Sequence, residues 1–113
     1  MTRSAATLSR SAFLILIAIA DQPRHGLGIV DEVEAGTGGR VKLGPGTLYG
    51  TMQTLSEQGL IRETAEAPDP SDDDPRRRYY RITAKGARLL GEEADRMNAL
   101  VQMARRKKVT GAA

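Results

Sequence analysis

The sequence predicts a mainly α-helical chain with a small β-hairpin: a three-helix unit closed by a two-stranded wing, then a long C-terminal helix. Three observations predict it. Apolar residues recur at helical spacing in three early segments, each ended by glycine or proline. Two short runs of strand-forming residues flank a polar, proline-bearing stretch. A last helical stripe runs on past the length that so small a core can cover. At 113 residues and 40% hydrophobic content the chain buries one core rather than two, so a single domain with an extended arm is expected.

In the first helix, from Leu8 to Ala20, the apolar positions Leu8, Ala12, Ile15, Leu16 and Ile19 keep helical spacing, and Ser4 or Thr7 can cap its start. Phe13, Leu14 and Ile17 widen the stripe nearly all round, so burial on two sides is expected, one against the chain's own core and one against a partner subunit. Asp21-Gln22-Pro23 ends it. Leu27, Ile29, Val30 and Val33 form a short second helix with Asp31, Glu32 and Glu34 outside, stopped by Gly36-Thr37-Gly38-Gly39. Arg40-Val41-Lys42-Leu43 alternates polar with apolar and predicts a brief strand. Gly44-Pro45-Gly46 restarts a helix that runs to about Gln58 and stops at Gly59.

The wing strands are Leu60 to Thr64 and Arg78 to Ile82, joined by a loop holding Pro68, Pro70 and Pro75. Thr83 is a good N-cap for a fourth helix from Ala84 to about Lys107, on the order of 35 Å long at about 1.5 Å per residue. Its stripe of Leu90, Ala94, Met97, Leu100, Val101 and Ala104, with Leu89 and Met103 beside it, outlasts the domain, which favours pairing with helices one and four of a second subunit.

Composition excludes several functions. With no cysteine and one histidine, neither a disulfide framework nor a Cys/His zinc cluster can be built. The longest apolar run, Ala12 to Ala20, falls short of the roughly 20 residues that span a bilayer, and it reads as a core helix rather than a leader, so a cytoplasmic location is expected. The net charge of +3 hides a concentration of positive charge in Arg76-Arg77-Arg78 with Arg81, and in Arg105-Arg106-Lys107-Lys108, which implies nucleic acid or another anionic surface as partner unless the charge only solubilises.

On the third helix Leu48, Met52 and Leu55 share one side, while Gly46, Gly50, Gln53 and Glu57 lie opposite, flanked by Thr47 and Tyr49. Small residues let a backbone approach a phosphate or groove wall, and Thr47, Tyr49 and Gln53 offer hydrogen-bonding groups; spacing alone favours an ordinary surface helix.

The run Leu43-Gly44-Pro45-Gly46-Thr47-Leu48-Tyr49, then Leu55, Gly59-Leu60-Ile61, Arg78-Tyr79-Tyr80-Arg81-Ile82-Thr83 and Gly86, resembles the PadR family of transcriptional regulators. His25-Gly26-Leu27-Gly28-Ile29 resembles the family's start of helix two, although Leu27 stands where that family often has tyrosine. The resemblance covers about residues 8 to 100, in order. It implies a homodimer of winged helix-turn-helix domains, often a repressor, with helix three in the major groove of an inverted-repeat operator and the wing along the backbone or minor groove. It also implies the short subfamily with a single C-terminal dimerisation helix. The expected layout is a DNA-binding domain over 1–83 with its wing at about 60–82, a dimerisation helix over 84–108, and a disordered tail over 109–113.

On this reading the DNA contacts are Lys42, Gly46, Thr47, Tyr49, Gly50, Gln53, Arg76, Arg77 and Arg78. The acidic residues Asp69, Asp72, Asp73 and Asp74 sit either at a wing tip away from phosphates or close enough to screen those arginines. The expected dimer interface is Phe13, Leu16, Leu90, Met97, Leu100, Val101 and Ala104, and a small hydrophobic or phenolic effector would be lined by Phe13, Met97, Leu100 and Met103. The wing carboxylates lack the spacing of an EF-hand, and the glycine-rich run has neither the ending of a P-loop nor dinucleotide-fold spacing. His25 has no nucleophile beside it and is expected to cap or pack at helix two. No enzyme site, metal or cofactor is expected. The competing reading is a winged-helix protein-interaction module without DNA binding.

Overall fold

The computed structural model describes residues 8–66 and 77–108. Ser4, Thr7, the wing prolines, the acidic run, Arg76 and the tail at 109–113 lie outside the described residues.

Helix α1 spans Arg10–Ala18, and its cap is Ser9 rather than Ser4 or Thr7: the Ser9 hydroxyl accepts from the Ala12 amide at 3.1 Å. Ala12, Ile15, Leu16, Ala18 and Ile19 are buried, while Phe13 and Leu14 are half-buried and Ile17 remains 47% exposed. After α1 the chain is held by Arg24, whose Nε donates to the Ala18 carbonyl at 2.6 Å while Nη2 lies 3.4 Å from Asp21 and 3.5 Å from Glu32. This one guanidinium ties the end of α1 to the segments that follow.

Strand β1, Arg24–His25, is the largest departure from the sequence reading. The expected strand at Arg40 to Leu43 is irregular chain. There the Val41 amide donates to the Thr37 hydroxyl at 3.1 Å instead of joining a ladder, and Leu43 simply turns into the core. Helix α2, Gly26–Gly36, is capped by His25, whose Nδ1 accepts from the Gly28 amide at 3.2 Å, and it ends at glycines with φ of +63° and +81°. It buries Gly26, Ile29 and Val33, which leaves Leu27, expected in the apolar stripe, 64% exposed.

Helix α3, Pro45–Glu57, has Pro45 in its first turn and stops at Gly59 with φ of +75°. Leu48, Met52 and Leu55 are buried, as their spacing predicts. Strands β2, Ile61–Thr64, and β3, Tyr79–Ile82, pair antiparallel with Arg62 opposite Arg81 and Glu63 opposite Tyr80. β1 adds to the far side of β3, Arg24 opposite Tyr80 and His25 opposite Tyr79, giving a sheet in the order β1-β3-β2. The start of α2 and the base of the wing are therefore one hydrogen-bonded unit.

Helix α4, Ala84–Arg106, is capped by Thr83, whose hydroxyl accepts from the Gly86 amide at 3.0 Å and donates to the Gly59 carbonyl at 2.7 Å. Lys85 Nζ donates to the Gln58 carbonyl at 2.9 Å. Gly86 lies against the Leu60 carbonyl so closely that an added Cβ would overlap it. Three residues, Thr83, Lys85 and Gly86, thus clamp the start of α4 to the turn that ends α3. Leu89 and Leu90 pack on the core, and Glu93 is buried with Oε1 accepting from Arg96 at 3.1 and 2.6 Å. Beyond Glu93 the helix leaves the domain, within a longest molecular extent of 51 Å. Among the described residues, no helix is long and apolar enough to cross a membrane.

Candidate nucleic-acid interface

Because Leu48, Met52 and Leu55 fix one side of α3 in the core, the opposite side is presented to solvent by helical geometry alone. Gly46, Thr47, Tyr49, Gly50 and Gln53 are all exposed there, and Lys42 is exposed on the segment leading in. Gly46 and Gly50 form part of one wall of a groove of about 510 Å³, whose other wall is the start of α1 at Leu8, Ser9 and Ala12. A Cβ added at either glycine meets nothing within 4 Å. The subunit's own packing therefore does not require these glycines, and they keep a shallow concave surface beside the helix.

Tyr49 is 56% exposed, but its ring does not stand free. Its hydroxyl lies over the start of α2, 2.6 Å from where a Cβ on Gly26 would sit, so the missing side chain at Gly26 is what lets the phenol settle there. Amide groups at the first turn of a helix carry partial positive charge, and a hydroxyl donor beside them suits a phosphate. The wing base approaches the same spot: Arg77 Nη1 lies 3.3 Å from His25 Nε2, and the His25 ring meets Tyr79 edge-on at a centroid distance of 5.3 Å. Helix α2, helix α3 and β3 thus converge on one exposed, donor-rich surface.

The three predicted wing arginines are in different situations. Arg77 is at that convergence, Arg78 pairs with Glu63 at 3.1 Å, and Arg76 is outside the described residues. Arg81 pairs with Glu66 at 3.5 Å. Part of the positive charge counted in the sequence is therefore balanced within the hairpin, and such exposed pairs contribute little to stability. Tyr80, half-buried on β3, has its hydroxyl pKa raised by burial first and by the Glu63 charge second, which keeps it a neutral donor.

Sequence reasoning passed over Arg62, an exposed cation on β2 directly across from Arg81, and it read His25 as a cap without seeing that the same ring meets the wing. The alternation of Ile61 with Arg62 was the available signal for the first; the second depends on β1.

Of the residues expected at a subunit interface, Leu16 is corrected: at 0% exposure it is enclosed by its own core and offers no surface. Phe13, Leu90 and Ala104 are half-buried, and Met97, Leu100 and Val101 are 37%, 61% and 43% exposed. Met103, expected with Phe13, Met97 and Leu100 around an effector, is 41% exposed. Among the described residues, no cluster of acidic or histidine side chains is arranged to hold a metal ion.

The model of the PadR-like transcriptional regulator family matches residues 15–92. A curated relative, described as an uncharacterized 37.1 kDa protein in transposon Tn4556 of Streptomyces fradiae, is 38% identical over 87 residues, which cover 77% of this chain and 23% of that protein. The chain thus spans less than a quarter of that relative's length. A solved PadR family transcription regulator from Clostridium difficile superposes with a TM-score of 0.71 at 17% identity, covering 87% of this chain and 97% of that one. A PadR family transcriptional regulator from Eggerthella lenta superposes with a TM-score of 0.64 at 27% identity, covering 88% and 82%.

Proposed function

The chain belongs to the PadR-like family of transcriptional regulators, and from that premise we propose that it binds double-stranded DNA as a homodimer and represses transcription at an inverted-repeat operator. The observation that carries this reading is the two-sided character of α3: a core triad behind, and Gly46, Thr47, Tyr49, Gly50 and Gln53 exposed in front. Thr47 and Tyr49 hold the phosphate register, Gln53 reaches a base edge, and Lys42 with Arg77 and the neighbouring Arg76 and Arg78 adds salt-sensitive attraction. The cytoplasm is where such a partner is met.

Dimerisation rests on α4, whose Met97, Leu100 and Val101 remain exposed on a single subunit and continue the surface of Phe13 and Leu90; Ala104 extends it. A small hydrophobic or phenolic effector held between Phe13, Met97, Leu100 and Met103 would relieve repression by altering the spacing of the two reading helices. A gel shift on the protein's own upstream DNA, repeated across salt concentrations and paired with light scattering, tests both parts. Retarded DNA whose affinity falls steeply with salt, from a dimeric protein, is the expected result.

A second reading, a winged-helix interaction module without DNA binding, draws support from the Arg78–Glu63 and Arg81–Glu66 pairs, which reduce the wing's free charge. It requires an intact dimer that retards no DNA even at low salt.

A further inference from the structure

The basic run Arg105, Arg106, Lys107 and Lys108 has no place in the surface built by α3 and the wing. It closes the exposed half of α4 and forms no ion pair among the described residues. Its complement is on α2. Glu34 stands in the last turn of that helix, where the macrodipole is negative, with Asp31 and Glu32 just before it, and no basic residue occupies that turn. Arg24 reaches Glu32 at 3.5 Å, while Asp31 and Glu34 have no ion-pair partner among the described residues. Within one subunit, this charge placement opposes the helix rather than supporting it.

Between α2 and α1 lies an apolar groove of about 140 Å³, floored by Leu14, Ile17, Ala18 and Val33, with Glu32 on its rim. Ile17 is 47% exposed. The groove offers an apolar floor beside acidic side chains. The end of α4 offers Leu100, Val101 and Met103 followed directly by cations. The two surfaces are opposite in charge, and each carries an apolar part.

We propose that the α1–α2 groove receives the α4 end of a second copy of this chain, with Arg105, Arg106, Lys107 and Lys108 set against the carboxylates of α2. This basic run is then a dimer element and not a DNA contact. The inference rests on the homodimer reading and specifies which surfaces meet. In a two-fold dimer each contact occurs twice, so its salt dependence is doubled.

The test is the dimer dissociation constant of the full chain, measured by sedimentation at about 0.05 M and about 0.5 M salt. The variants are Arg105→Glu with Arg106→Glu, Asp31→Lys with Glu34→Lys, and the four changes together. All four side chains lie on or near the surface, and lysine near the end of α2 suits its dipole. Either double variant is expected to weaken the low-salt dimer on the order of tenfold, and the fourfold charge swap to restore most of that loss. An unchanged dimer with weaker, less salt-sensitive DNA binding in the Arg105→Glu, Arg106→Glu variant would overturn the proposal and assign the run to DNA. Weakening without rescue by the swap would also overturn it, since the cations would then dock elsewhere. A wild-type chain that is monomeric at every concentration would instead overturn the homodimer reading itself.

Discussion

Replacing Gly50 with alanine separates the demands of folding from those of DNA binding. Gly50 lies inside α3, its φ is not in the left-handed region, and a Cβ there meets nothing within 4 Å. Within the subunit the change should therefore stabilise, because glycine inside a helix costs about 1 kcal/mol relative to alanine. For a domain of this size that gain raises Tm by about 4 °C. With this face against DNA, as proposed, the same methyl would crowd the contact, and an extra methyl group in a tight contact costs about 1–3 kcal/mol, or roughly 5- to 150-fold in affinity. No charge changes, so the slope of log affinity against log salt stays where it was. Thermal and urea unfolding should be run at one fixed protein concentration, since a dimer's Tm depends on it, and operator binding followed by fluorescence anisotropy. A variant that is more stable yet binds the operator as tightly as the parent would refute the placement of this face against DNA. A variant that is no more stable would refute the argument from helix propensity.

Gly86→Ala should act in the opposite sense, losing about 3 kcal/mol in urea unfolding because its Cβ overlaps the Leu60 carbonyl and presses on Ile82. Arg77→Ala should weaken binding alike on all DNA sequences and lower the salt slope by about one; an unchanged slope would take the wing base off the phosphates. Leu100→Glu, at a position 61% exposed in one subunit, should leave a folded monomer in light scattering, and a persistent dimer would move the interface off α4. The raised pKa of Tyr80 means that the folded chain holds this proton more tightly than the unfolded chain, whose tyrosine has a value near 10.0. Its contribution is fully present below that pH and is lost as pH rises through the higher folded value, so Tyr80→Phe should flatten the alkaline fall in Tm.

Elements fixed by local chemistry were readable from the sequence. Pro45 starts α3, Gly59 stops it, Thr83 starts α4, and the triad Leu48, Met52 and Leu55 faces the core as its spacing requires. What escaped depends on contacts distant in sequence. β1 is two residues long and exists because Tyr79 and Tyr80 lie alongside it, a fact absent from Arg24 and His25 themselves. The alternation of Arg40 to Leu43 is genuine, but a strand needs a partner, and Thr37 claimed the Val41 amide first. A helix apolar almost all round does not say which side meets its own domain, and Leu16, expected at the interface, is enclosed by its own core. The charge count overstated the wing because the pairing of Arg78 with Glu63 appears only once the hairpin register is set.

The clamp where Thr83, Lys85 and Gly86 meet the end of α3 gives α4 a mechanical character. With its first turn anchored to Gln58, Gly59 and Leu60, the helix cannot swivel without straining the turn that follows α3. The whole helix is then a lever about 35 Å in length, over which a tilt of about 5° displaces the tip by about 3 Å. Read in reverse, a displacement of a few ångströms imposed near Leu100 is felt first at the turn of Gln58, Gly59 and Leu60 that follows α3.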